Sequence, residues 1–241
     1  MALPTGGLIS AEICWDTVPD RDAFPFSIPS ISAIDALDLS SAVTFLIGEN
    51  GSGKSTLLEA IAIAAGLNAE GGTRNLVFSN HSTESDLHDH LRLVWRTRQR
   101  WAFFLRAETF FDTASAYAAQ PDDALSGLHQ RSHGEQFIDA AMEKLSPGGL
   151  HLLDEPESAL SLIGQLELMR RIHDVAARDG QFVIATHSPI LLALPGARIY
   201  ELTAEGAQET DFDSAEPVRL TRSFLEAPDR FLHHLLTNDP D

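Results

Sequence analysis

The most constraining feature of the chain is the run Gly48-Glu49-Asn50-Gly51-Ser52-Gly53-Lys54-Ser55-Thr56, set between an apolar stretch and a helical pattern. It matches G-x-x-x-x-G-K-[ST], in which glycines let backbone N–H groups curl around phosphate and the following helix presents its positive dipole end. Lys54 is spaced to reach terminal phosphates, the Ser55 hydroxyl to ligate Mg2+, and residues Asn50 to Thr56 to supply the remaining nucleotide contacts. Upstream, Val43-Thr44-Phe45-Leu46-Ile47 reads as a buried parallel strand. Downstream, Leu57, Leu58, Ile61, Ala62 and Ala65 recur at helical spacing until Gly66. The only other lysine is Lys144, which marks Lys54 as more than a scattered surface cation.

Further strands are expected at 7–15, 150–153, 182–185 and 197–202, and helices over much of 110–146, over 160–178 and near 224–236. Leu91, Leu93 and Trp95 alternate with polar neighbours, Arg98-Gln99-Arg100 can turn, and Trp101 to Leu105 can return as the second strand of a hairpin. Strands alternating with helices predict an α/β fold with a mostly parallel central sheet, an antiparallel N-terminal β part and a small helical subdomain.

Two more segments carry chemistry. Leu150-His151-Leu152-Leu153 ends in Asp154-Glu155-Pro156. Parallel sheets deliver ligands at strand C-termini, so Asp154 can face Mg2+ while Glu155 orients or deprotonates an attacking water. The strand ending at Ala185 is followed by Thr186-His187-Ser188-Pro189, where His187 can donate to a terminal phosphate.

GENGSGKST, LLDEP and ATHSP, in this order and spacing, resemble the Walker A, Walker B and switch-histidine motifs of ATP-binding cassette (ABC) ATPases. The resemblance implies a P-loop NTPase fold, ATP as substrate with Mg2+, Lys54, Glu155 and His187 as catalytic groups, and a single ATPase domain over 1–241 with a helical subdomain inserted at about 108–146. It also implies a signature motif before Walker B, and Arg131-Ser132-His133-Gly134-Glu135-Gln136 occupies that place. Two subunits would pack head to tail, with Ser132, Gly134 and Glu135 of one contacting the nucleotide of the other. The glutamine expected near Mg2+ is replaced by Arg106-Ala107-Glu108, with Glu108 the substitute ligand, and the usual D-loop carboxylate by Ser161. Phe24 or Phe26 is in place to stack on adenine, although the FPF run also suits core packing.

Composition narrows the class. With 17 basic and 35 acidic residues the net charge is −18, which opposes indiscriminate binding to nucleic acid or anionic lipid. Five arginines (Arg92, Arg96, Arg98, Arg100, Arg106) form the one basic concentration, a solvated hairpin or a contact surface for an anionic partner. A single cysteine, Cys14, leaves no disulfide framework or cysteine-based zinc site. No apolar run is long enough to span a membrane and the N-terminus does not read as a signal peptide, so a cytoplasmic location is expected. The stretch between Lys54 and Ser132 is too short and heptad-free for the coiled coil of chromosome-maintenance ATPases. SHGE and FFLRAETFF resemble the compact, stand-alone "predicted ATPase" group of the superfamily. The expected partner is a second copy gated by ATP, with an unidentified protein beyond it. A transporter subunit, a P-loop kinase, and a DNA/RNA repair or defence ATPase remain the alternatives.

Overall fold

The computed structural model describes residues 7–69, 71–73, 85–99, 101–107 and 143–236. Strands are β1 (Gly7–Ile13), β2 (Ala36–Asp38), β3 (Val43–Ile47), β4 (Gly72–Thr73), β5 (Leu91–Thr97), β6 (Ala102–Arg106), β7 (Leu150–Asp154), β8 (Gln181–Ala185), β9 (Arg198–Thr203) and β10 (Gly206–Thr210). Helices are α1 (Pro29–Ser32), α2 (Lys54–Ala64), α3 (Leu162–Ala176), α4 (Pro189–Leu192), α5 (Glu216–Glu226) and α6 (Pro228–Leu236).

The central sheet runs β10-β9-β3-β8-β7-β6-β4. Its five inner strands are parallel and both edge pairings antiparallel. β3, β7 and β8 are buried along their whole length, as continuous apolar runs covered on both faces must be. Alternate residues divide between two cores. Phe45, Ile47, Leu153, Phe182 and Ile184 pack with Leu168 and Ile172 of α3; Leu46, Leu152 and Val183 pack with Leu57, Leu58 and Ile61 of α2 and with the antiparallel sheet β2-β1-β5. This is the predicted mostly parallel α/β sheet with an antiparallel N-terminal part.

One expectation fails. β5 and β6 do not form a hairpin: β5 pairs with β1 in the small sheet, whereas β6 runs parallel to β7. The cause lies in their burial. β5 has no fully buried position and mixes half-buried with exposed residues, fit for a one-sided antiparallel sheet, while Ala102 to Leu105 are all buried and need a two-sided one. Three of the five arginines are engaged at separate places, while Arg92 and Arg96 are both exposed on β5. Arg92 pairs with Glu12, Arg98 donates to the Ala65 carbonyl and Arg106 turns toward Asp154. Arg100 lies outside the described residues, as does most of the expected helical stretch 110–146.

The terminal helix also begins earlier than expected and is broken at Ala227 into α5 and α6. Gln181 locks the two sheets together. Its Nε2 donates to the carbonyls of Leu8 (2.8 Å) and Leu39 (2.6 Å), and its Oε1 accepts the Leu8 N–H at 2.7 Å.

Candidate nucleotide-binding site

Register brings the site together. Arg106 pairs with Asp154, Asp154 with Ala185, Ala185 with Leu46 and Leu46 with Tyr200, so the loops after β3, β7 and β8 leave the sheet along one edge. Chain segments more than a hundred residues apart thereby become neighbours at strand C-termini, the usual ligand edge of a parallel sheet.

The loop between β3 and α2 needs its glycines. Gly53 takes φ +86, and a side chain there would press on Ile31 at 3.1 Å; at Gly48, with φ +143, a Cβ would lie 2.7 Å from the Leu202 carbonyl. Lys54 is only 5% exposed, and its ammonium donates to the loop carbonyls of Gly48 (2.8 Å) and Glu49 (3.0 Å). Burial pulls its pKa below the ordinary lysine value; Glu155, Asp154 and Glu157 oppose that pull. A cavity of about 440 Å3 opens beside it, lined by Phe24, Ile28, Asn50, Gly51, Gly53, Lys54, Ser55, Thr56 and Glu155. A second cleft, about 580 Å3, shares Ile28, Asn50 and Gly51 with it and extends to Glu201, Glu216 and Arg219.

Ser55 Oγ donates to Asp154 Oδ1 at 2.9 Å. These two hard oxygens, already within hydrogen-bond distance and beside the lysine, form a donor set that fits Mg2+. Arg106 stands on the other carboxylate oxygen, its Nε 3.6 Å from Asp154 Oδ2 and its Nη1 2.7 Å from Glu59 Oε2.

Glu155 adopts left-handed backbone angles, φ 47 and ψ 49, uncommon for a side chain of this kind. The conformation is held from both sides: Glu155 N–H donates to the Ala185 carbonyl at 2.9 Å, and its carbonyl accepts from Ser158 N–H and Oγ. His187 Nε2 lies 3.9 Å from Glu155 Oε1 and makes no hydrogen bond among the described residues. The His187 backbone N–H donates to Glu157 Oε1 at 2.6 Å.

Ser55 meets Asp154 and Glu155 meets His187 on the sheet edge that carries Lys54, with Asn50, Gly51, Gly53 and Thr56 around the cavity. Ser52 contributes a loop carbonyl that accepts from Ser30 Oγ. Phe26 is 3% exposed and packs on Trp15 and His90, so it belongs to the core; Phe24 is 66% exposed and lines the cavity. Ser161 caps α3, its hydroxyl accepting from Gly164 N–H at 3.1 Å. Glu108, Ser132, Gly134 and Glu135 lie outside the described residues. Two neighbours carry no site role of their own in the sequence: Arg106 belongs to the basic run and to the segment in place of the glutamine, and strand register sets it beside Asp154, while Glu157 adjoins the motif without a motif role.

A glycine-bent loop carrying a buried lysine, facing an Asp-Glu pair on the same edge of a mostly parallel sheet, defines a P-loop nucleotide-binding protein. Residues 43–99 match the family described as "AAA domain, putative AbiEii toxin, Type IV TA system". The chain is 32% identical over 197 residues to the "Cytochrome c biogenesis ATP-binding export protein CcmA" of Rhodospirillum rubrum, covering 75% of this chain and 79% of that protein. It is 30% identical to the CcmA of Rhodopseudomonas palustris (strain BisB5), covering 64% and 82%. A nucleotide-free ATP-binding cassette from an ABC transporter superposes at a TM-score of 0.49 with 15% identity, covering 93% of this chain and 98% of that one. On its 32% identity to the Rhodospirillum rubrum protein over three quarters of its length, the chain belongs to the ABC family of P-loop ATP-binding proteins.

Proposed function

We propose that the chain binds Mg-ATP and hydrolyses it, as a single ATPase domain over residues 1–241 with the signature segment inserted at about 108–146, and that ATP joins two copies head to tail. The observation that carries this reading is the convergence of Lys54, Ser55, Asp154, Glu155 and His187 on one sheet edge. On nucleotide arrival Lys54 exchanges its two loop carbonyls for β- and γ-phosphate oxygens, while the backbone of residues 50–56 wraps the phosphates. Ser55 and Asp154 would hold Mg2+, with Glu108 as a further oxygen donor; the bound ion neutralises charge on the phosphate oxygens. Glu155 accepts a proton from the attacking water and His187 donates to the γ-phosphate. Phe24, at the cavity mouth, stacks on the base. Ser132, Gly134 and Glu135 of the second copy cap the γ-phosphate, so its release opens the dimer as a population shift. The cycle would run in the cytoplasm; no helix among the described residues is long and apolar enough to cross a membrane.

The deciding experiment is the light-scattering mass of Glu155→Gln with and without Mg-ATP. A monomer that becomes a dimer only with ATP supports the composite site. ATP binding without any change of mass removes the dimer from the proposal.

A second reading, the ATP-binding subunit of an exporter, is favoured by the export proteins among the relatives. It requires a membrane-embedded partner, and recovery of the tagged chain from detergent-solubilised membranes together with such a partner would establish it. Fractionation wholly with soluble protein would set it aside.

A further inference from the structure

Glu157 lies in the 3-10 turn Pro156–Ala159, two residues past Glu155. Its Oε1 accepts the His187 backbone N–H at 2.6 Å, while its Oε2 is buried without a hydrogen bond among the described residues. The carboxylate therefore acts at this point as a main-chain anchor.

The same loop is held elsewhere. Ser188 Oγ donates to Gln165 Oε1 on α3 at 2.6 Å and caps α4 by accepting from Leu191 N–H. Ser188 N–H donates to Thr186 Oγ1 at 3.0 Å, and Glu155 N–H to the Ala185 carbonyl. Residues 185–188 are thus tied to the stretch 155–165 at three points: Glu155 to Ala185, Glu157 to His187 and Gln165 to Ser188. Of these only the Glu157 bond acts at the backbone of the histidine itself. His187 Nε2 lies 3.9 Å from Glu155 Oε1 and makes no hydrogen bond among the described residues, so its backbone has a large share in aiming it.

We infer that Glu157 is a positioning residue for hydrolysis: through the His187 amide it sets the backbone from which the imidazole reaches Glu155 and the terminal phosphate, and it makes the turn after Glu155 and the His187 loop move as one body. The inference rests on the ATPase reading above. Its role is one of reach and acceptor geometry rather than charge. Glutamine, which keeps a carbonyl oxygen at the same distance, should serve; aspartate, which keeps the charge and loses a methylene, should not.

The test is steady-state ATPase activity of the wild type, Glu157→Ala, Glu157→Gln and Glu157→Asp, each with His187 intact and with His187→Ala, alongside fluorescent-ATP affinity and melting temperature. Misplacement of a catalytic group is expected to lower kcat of the Ala and Asp variants by about tenfold or more, with ATP affinity held within about twofold. Glu157→Gln should retain most of the wild-type rate, and Glu157→Ala should add nothing in the His187→Ala background. Wild-type kcat in Glu157→Ala, an additive loss beside His187→Ala, or an Asp variant as active as the Gln variant would each overturn the inference while leaving the ATPase reading in place. If Glu157→Ala melts too low to assay, the comparison of Gln with Asp decides alone. A wild type that binds ATP and never turns it over removes both.

Discussion

Arg106 Nε lies 3.6 Å from Asp154 Oδ2, a guanidinium set against the same carboxylate whose other oxygen holds Ser55. Both residues are largely buried, and Arg106 is fixed from its far end by Glu59. The candidate metal carboxylate therefore already has a cation beside it.

Removing that cation leaves Glu59 and Asp154 facing each other's charge in a poorly solvated place. Arg106→Met should cost about 3 kcal/mol of stability, as loss of one partner from a buried ion pair does. Replacing the pair together, as Glu59→Met with Arg106→Met, should recover most of the loss. Urea unfolding measures both; equal losses in the single and double variants would contradict the pairing.

Asp154→Asn keeps the hydrogen bond to Ser55 but removes the charge that would hold Mg2+. ATP affinity measured with EDTA should be little changed, whereas its enhancement by Mg2+ should fall by about tenfold or more. Isothermal titration with and without the metal separates the two, and an undiminished Mg2+ effect would assign the ion to other ligands.

Gln181 satisfies Leu8 N–H, Leu8 carbonyl and Leu39 carbonyl at the seam between the sheets. Gln181→Leu should destabilise by about 3 kcal/mol, because buried backbone groups lose their side-chain partner. Gly7→Ala should injure the same seam, since its Cβ would lie 2.4 Å from Gln181 Oε1 on a backbone at φ +117. Chemical denaturation reports both, and neutrality of either would show that the sheets are held by packing alone.

His151, fully buried on Phe182, has its pKa pushed down to about 4 by desolvation, against a smaller opposing effect of its bond to the Ser146 carbonyl. The unfolded chain takes up this proton near pH 6.5 and the folded chain only near 4, so acidification across that window favours unfolding. A difference of this size corresponds to about 3 kcal/mol lost between the two limits. His151→Phe should lower stability at pH 7.5 by about 1 kcal/mol through the missing hydrogen bond. It should also flatten the decline below pH 6.5 relative to wild type, which pH-dependent urea midpoints would reveal; parallel curves would refute the assignment.

Much of this was legible in advance because each motif sits at the end of an apolar run. Ile47, Asp154 and Ala185 close buried strands, and a buried parallel strand has little choice of where its loop emerges. Pairing partners were less legible. Leu91 to Leu105 carries a half-exposed strand followed by a wholly apolar one, yet it does not say which strands they pair with; that is set by β1 and β7, distant in sequence. The same holds for Arg106, whose partner Asp154 is fixed by strand register rather than by any local pattern. Ser161 looked like a lost carboxylate and is a helix cap, a role short-range sequence does carry.

The position of β3 between β8 and β9 governs when the protein can become functional during its own synthesis. The strand that launches the phosphate loop is made early, yet its neighbours span residues 181–185 and 198–203. Until β8 has left the ribosome β3 has no partner on either side, and until β9 follows one side of β3 stays open. Such pairing across most of the chain is slow to nucleate. Nucleotide cannot act as an early scaffold for this fold: competence to bind it arrives late and cooperatively, once the last inner strand of the sheet is in place.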